Sequence, residues 1–112
     1  MITFYGLKNC DTCKKALKAL ADHDVTVVDV RADGISAELL ADWVSRVGAD
    51  VLINKRSTTW RGLDEDARSA AESNEGAVRL MAENPTLMKR PVIVRGDDVS
   101  VGWTKDVQAA FA

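Results

Sequence analysis

The sequence predicts an α/β domain built on a four-stranded mixed sheet, and three observations support this. Two β-branched and aromatic runs, ITFYG (2–6) and VTVVDV (25–30), flank a helical pattern, the sequence form of a βαβ unit. Two more strand-like runs in MKRPVIVRGDDVSVGW (88–103) are joined by the turn RGDD, the form of an antiparallel hairpin. Between them lie about 55 mostly helical residues, too many for a loop in a compact domain. The chain therefore reads as one domain over 1–112, carrying a helical insertion over 35–87.

The elements follow in order. The strand over 2–6 ends on Gly6. From Asp11 to Asp22, Cys13, Ala16, Leu17 and Leu20 recur at i, i+3, i+4 and i+7, which places them on one helical face. Lys14, Lys15 and Lys18 fall on the other side, and Asn9 or Asp11 is the expected N-cap. The nearly continuous apolar character of 25–30 predicts a strand buried on both faces and parallel to the first. Ser36 opens a helix that ends at Gly48, with Leu39, Leu40, Trp43, Val44 and Val47 as its buried stripe. DVLINKRSTTWRGLD (50–64) predicts a short helix and then an irregular surface loop. DEDARSAA and EGAVRLMAE read as two short helices, closed by Asn84-Pro85 because a residue before proline avoids the helical region. Thr104 caps a last helix that turns Val107, Ala110 and Phe111 inward.

Composition narrows the function classes. Of 112 residues, 46% are hydrophobic, enough for one core without metal or disulfide staples. A net charge of -2 lacks the basic excess of a general nucleic-acid binder. The N-terminus has no signal-peptide pattern, and no apolar run approaches the roughly 18 residues of a membrane span. The expectation is a soluble, cytoplasmic monomer that binds neither membrane nor nucleic acid. Two cysteines and one histidine, His23, cannot complete a four-ligand zinc site within one chain, so no metal is expected.

Both cysteines lie in NCDTCKKALKAL (9–20), spaced Cys-x-x-Cys where a strand gives way to a helix. In a reducing compartment such a pair is more often catalytic than structural. Cys10 falls at the helix mouth, where unpaired backbone N–H groups and the helix dipole favour a thiolate. Lys8 and Lys14 are expected to add to that field. Cys13, one turn on, can reach the same partner sulfur but begins the apolar stripe, so it is expected to be the more buried thiol. That asymmetry assigns Cys10 as the attacking nucleophile and Cys13 as the thiol that resolves the mixed disulfide. His23 sits past the helix end and receives no catalytic role. Trp60 either borders the cleft or anchors its loop.

FYGLKNCDTCKKA, INKRSTTWRGLDE and MKRPVIV together resemble the three signature blocks of the ArsC/Spx family, with GLKNCDT, STTWR and RPVIV most like its YffB-type members. The likeness covers essentially the whole chain. It implies a thioredoxin-like fold and a catalytic cysteine at Cys10. It also implies a cis-proline at Pro91 facing that cysteine and oxyanion-holding arginines at Arg56 and Arg90. A guanidinium fork suits either an arsenate oxyanion or a glutathione carboxylate.

Where arsenate reductases carry a histidine four residues before the cysteine, this chain has Gly6, and where they carry a third arginine it has Trp103. Fewer charge-assisted contacts argue against efficient arsenate reduction, and Trp103 is expected to pack against an organic thiol. The resemblance therefore implies a thiol-dependent oxidoreductase, read as a glutathione-dependent thiol reductase. It needs no bound cofactor and uses glutathione as co-substrate, with glutaredoxin or thioredoxin as candidate protein partners. The alternatives are an arsenate reductase and an Spx-like redox-sensing regulator that binds RNA polymerase.

Overall fold

The computed structural model describes residues 2–7 and 9–111. In chain order its elements are β1 (Ile2–Gly6), α1 (Asp11–Ala19), β2 (Val25–Asp29), α2 (Ala37–Val47), α3 (Ala49–Leu52), α4 (Thr58–Arg61), α5 (Glu65–Ala70), α6 (Asn74–Glu83), a 3₁₀ turn (Pro85–Leu87), β3 (Val92–Arg95), β4 (Asp98–Val101) and α7 (Lys105–Ala110). They form two compact units, one from 1–33 with 90–112 and one from Gly34–Lys89.

The first unit holds the sheet, in strand order β2-β1-β3-β4. β1 and β2 are parallel, with Gly6 opposite Asp29, while β3 runs antiparallel to both β1 and β4. This is the thioredoxin-like arrangement. Parallel β1 and β2 require a crossover, and α1 supplies it. Its stripe packs as its spacing predicts: Cys13, Ala16 and Leu20 join Ile2, Phe4, Ile93 and Phe111 in one buried cluster. Gly96, at φ 61, lets the two-residue turn between Arg95 and Asp98 close β3 onto β4.

Three expectations are corrected here. β2 is not buried on both faces: it pairs with β1 alone, as an edge strand, and Val27 is 55% exposed. α1 stops at Ala19 rather than Asp22, because the chain turns there and the His23 N–H donates to the Leu20 carbonyl at 2.9 Å. Ala110 is exposed, and the inward residue beyond α7 is Phe111. That ring is held by the Arg95 guanidinium, 4.6 Å from its centroid, and meets the His23 ring edge-on. His23 Nε2 also lies 3.1 Å from the Phe111 carbonyl, so His23 ties the last segment to the turn after α1.

The second unit is helical and caps its own ends. Ser36, Ser57, Asp64 and Ser73 accept from the N–H groups of Leu39, Trp60, Ala67 and Gly76 at the starts of α2, α4, α5 and α6. α4 occupies part of the stretch read as an irregular loop. Ser57 nucleates it, and the Lys55 ammonium over the Trp60 ring, at 5.7 Å, covers one side. Trp43 is buried, as its place on the stripe of α2 predicts. Ile53 bridges Met88, and the Lys89 N–H donates to the Leu52 carbonyl at 2.7 Å, which ties the unit's last residues to the segment at the end of α3. Among the described residues no helix is long and apolar enough to cross a membrane.

α5 and α6 meet at Gly76, where an added Cβ would lie 1.9 Å from the Ala70 carbonyl oxygen. Alanine ordinarily favours a helix by about 1 kcal/mol over glycine. Here backbone faces backbone and neither can rotate away. Gly76→Ala is expected to lose about 1–3 kcal/mol, as overpacking does. The check is the urea midpoint, and a midpoint at or above that of the parent would contradict this close approach.

Candidate active site

Cys10 is the N-cap residue of α1, with extended backbone angles (φ -94, ψ 119), and its carbonyl accepts the Lys14 N–H at 3.0 Å. This corrects the expectation of Asn9 or Asp11 as the cap: the helix begins at Asp11, so the preceding residue is the thiol itself. No side-chain cap bond of standard geometry forms. The Cys13 N–H nevertheless lies near enough to the Cys10 sulfur to favour the thiolate.

Burial works against the Cys10 thiolate, but it is outweighed. The Cys13 N–H, the Cys13 thiol and the Arg90 side chain all donate toward the sulfur, and the Arg90 charge adds to them, so the Cys10 pKa is lowered. Cys13 goes the other way. Burial first, then the hydrogen bond and negative charge of Cys10, push its pKa up to about 11, with only the Leu7 N–H and the Arg90 charge opposing. Cys13 is 1% exposed and Cys10 half-buried. Cys10 is therefore the accessible sulfur and the more readily ionised of the two, and Cys13 is a buried thiol that donates to it.

The tight seat of Cys13 has a specific cause. A Cβ on Gly6 would stand 2.7 Å from the Cys13 sulfur and 2.8 Å from Phe4 Cε1. The end of β1 and the start of α1 can meet only because residue 6 has no side chain. Gly6 and Cys13 are thus two halves of one packing arrangement.

A pocket of about 400 Å³ opens over Cys10. It is lined also by Leu7, Asn9 and Arg90 and, from the turn after β2, by Asp29, Arg31 and Ala32. Cys10, Cys13, Arg90 and Pro91 all belong to the sheet unit. The Arg90–Pro91 bond is cis, and Pro91 is buried. Arg56 belongs to the helical unit, exposed on the turn before α4, where its N–H donates to Asn54 Oδ1 at 3.0 Å. Lys8 lies outside the described residues, and Lys14 lines a neighbouring pocket rather than this one.

Trp103 is not among the pocket's lining residues. It packs against the core and borders a separate cavity beside Leu20 and Phe111, which corrects its expected role against an organic thiol. Arg31 was missed. The signal for it was position, because sites in α/β sheets gather at the carboxyl ends of parallel strands. The turn RADG follows the second strand directly. Among the described residues no group of three or more metal-ligating side chains is gathered.

Two tests follow from this packing. Gly6→Ala is expected to cost about 1–3 kcal/mol, and adding Cys13→Ala is expected to recover part of that loss. Strict additivity of the two, measured by denaturant unfolding, would mean they do not share the contact. The Cys13 pKa is raised on folding, so the folded state retains a proton that the unfolded chain gives up near 8.5. Its contribution is complete below that pH and is lost as pH rises toward about 11. The stability gap between the parent and Cys13→Ala should narrow over that window, and a constant gap would show that the thiol is not held protonated.

With the geometry described, known proteins supply the context. The ArsC family model matches residues 5–111. An uncharacterized protein of Haemophilus influenzae is 50% identical over 115 residues, with both chains covered in full. The solved YFFB (PA3664) protein is similar at a TM-score of 0.88 and 37% identity, covering 98% of this chain and 97% of the other. The solution structure of an arsenate reductase (ArsC) related protein from Brucella melitensis is 40% identical, at a TM-score of 0.76 over 97% of this chain and 92% of that one. The global transcriptional regulator Spx of Streptococcus pyogenes is 29% identical over 99% of this chain and 84% of its own length. A match to the ArsC family model over nearly the whole chain, with relatives of this identity and coverage, establishes that the chain belongs to the ArsC family.

Proposed function

We propose that this protein is a glutathione-dependent thiol reductase in which Cys10 is the nucleophile. The observation that carries the reading is the split between two neighbouring thiols, one accessible with a lowered pKa and one buried with its pKa raised to about 11. Low pKa and access together are what make a cysteine attack.

The Cys10 thiolate attacks the glutathionyl sulfur of a mixed disulfide. The substrate S–S bond breaks, a Cys10–glutathione disulfide forms, and the expelled thiolate takes a proton from water. A second glutathione thiolate then attacks that bond. This regenerates the Cys10 thiolate and forms oxidised glutathione, one half from the substrate and one from the donor, so a single free glutathione is consumed for each mixed disulfide reduced. Cys13 offers an internal route: it loses its proton, bonds to Cys10 and releases glutathione, and two further glutathione thiols reduce the Cys10–Cys13 disulfide. Once Cys10 is in a disulfide its negative charge is gone, which removes one cause of the raised Cys13 pKa. Burial remains, so the external route carries most turnover. Arg90 holds the reactive sulfur as thiolate, and Arg56, paired with it by family likeness, holds an anionic part of the substrate. Pro91 shapes the backbone beside Arg90.

The test is turnover of a glutathione mixed disulfide, and of arsenate, with glutathione as donor. Cys10→Ser is expected to abolish turnover, and Cys13→Ser to retain it within about tenfold. Arg56→Ala is expected to weaken use of the anionic substrate about tenfold, the scale of one exposed charge-assisted contact. Turnover of arsenate but not the mixed disulfide would move the reading to an arsenate reductase.

A redox-sensing regulator is the second reading, supported by the Spx relatives at 29% identity. It would gain from co-purification with RNA polymerase together with no turnover of either substrate, despite rapid alkylation of Cys10 near neutral pH.

A further inference from the structure

The pocket over Cys10 holds two arginines in different circumstances. Arg90 is half-buried and donates to the Cys10 sulfur. Its charge is committed to the nucleophile. Arg31 comes from the other side of the crossover, from the turn after β2, and its side chain is exposed. Among the described residues it makes no ion pair.

The turn is built in a way that holds Arg31 in place. Asp29 Oδ1 accepts the Arg31 N–H at 2.9 Å and the Ala32 N–H at 3.0 Å. The Asp29 carbonyl accepts the Asp33 N–H at 2.9 Å, and Asp33 Oδ2 receives the Asp29 N–H at 3.3 Å. Asp29 Oδ1 and Asp33 Oδ2 thus accept the turn's own backbone N–H groups, and Asp29, Arg31 and Ala32 together line the pocket.

We propose that Arg31 is the carboxylate-binding residue of the Cys10 pocket, and that it selects peptide-sized thiols and disulfides bearing a carboxylate distant from the sulfur. This rests on the reading that Cys10 works on disulfides. A pocket of about 400 Å³ lies within the range of small-ligand sites, of roughly 300–1,000 Å³. A compact oxyanion at the sulfur would leave most of it empty. A neighbouring pocket of about 300 Å³ shares Leu7, Asp29 and Ala32 with it as lining residues. A planar guanidinium pairs with a carboxylate through two parallel N–H···O bonds, and Arg31 lines the same pocket as Cys10.

Binding is measured without chemistry, with S-methylglutathione as the probe, since a thioether cannot exchange. It is titrated against the intact protein, Arg31→Ala and Arg31→Lys, alongside the same probe with both carboxylates esterified. Arg31→Ala is expected to bind the acid about tenfold more weakly, with Arg31→Lys between it and the parent. The ester should bind the parent and Arg31→Ala alike, because the carboxylate partner is gone. The pH midpoint of Cys10 alkylation should rise in Arg90→Ala and hold in Arg31→Ala, a split that a merely structural Arg31 would not produce. Equal losses for acid and ester, or no binding of the acid to the intact protein at millimolar concentration, would overturn the assignment. Binding with this pattern but no turnover of the mixed disulfide sinks the reductase reading and leaves Arg31 in place. Turnover without the pattern sinks only the role of Arg31.

Discussion

The sulfur of Cys13 occupies space that a Cβ on residue 6 would need, and the geometry of the site depends on that contact. It brings the start of α1 onto the end of β1, and Cys10, one turn earlier, is the helix's N-cap. The Cys13 N–H and thiol then face the Cys10 sulfur, and burial of Cys13 under Leu7 and Gly6 keeps it protonated as a donor. A bulkier residue at position 6 would meet the Cys13 sulfur and the Phe4 ring first. The contact therefore joins fold to electrostatics: the same atom fills the core and tunes the Cys10 sulfur.

Charge at the site follows a division of labour. Desolvation alone would raise the pKa of Cys10, and it is the largest single influence on it. Several modest donors outweigh it, and Arg90 adds a formal charge where the backbone supplies only partial ones. The parallel pairing of β1 with β2 sets Gly6 opposite Asp29. The two segments that carry the site, 7–10 and 29–32, therefore leave the same end of the sheet. A strand that is poor core material, with Val27 exposed on the edge, still serves by delivering the turn that holds Arg31.

The helical unit contributes in another way. Its helices are mostly short, and short helices are marginal without help at their ends. Ser36, Ser57, Asp64 and Ser73 supply that help locally, and Gly76 lets α6 pack onto the end of α5. Such a unit folds on its own caps and packing. It can occupy the connection between β2 and β3 while the sheet keeps its register.

The sequence by itself determined the order of the strands and of the helices other than α4, the α1 stripe of Cys13, Ala16 and Leu20, the caps at Ser36 and Thr104, and the Cys-x-x-Cys at a strand-to-helix junction. These follow from periodicity and local hydrogen bonding, which depend on near neighbours in the chain. The family likeness added Pro91 and Arg90. Tertiary structure decided the rest. An apolar run such as 25–30 reads the same at an edge as at a centre, because its exposure depends on which strand pairs beside it. Trp103 was misplaced because the cavity it borders is also lined by Leu20, more than eighty residues away in sequence. Arg31 looked like any loop cation until the parallel pairing of β1 and β2 brought its turn beside Cys10. The lowered pKa of Cys10 rests first on the Cys13 N–H and thiol, which are local, and then on Arg90, eighty residues away, because electrostatic tuning depends on distance through space rather than along the chain.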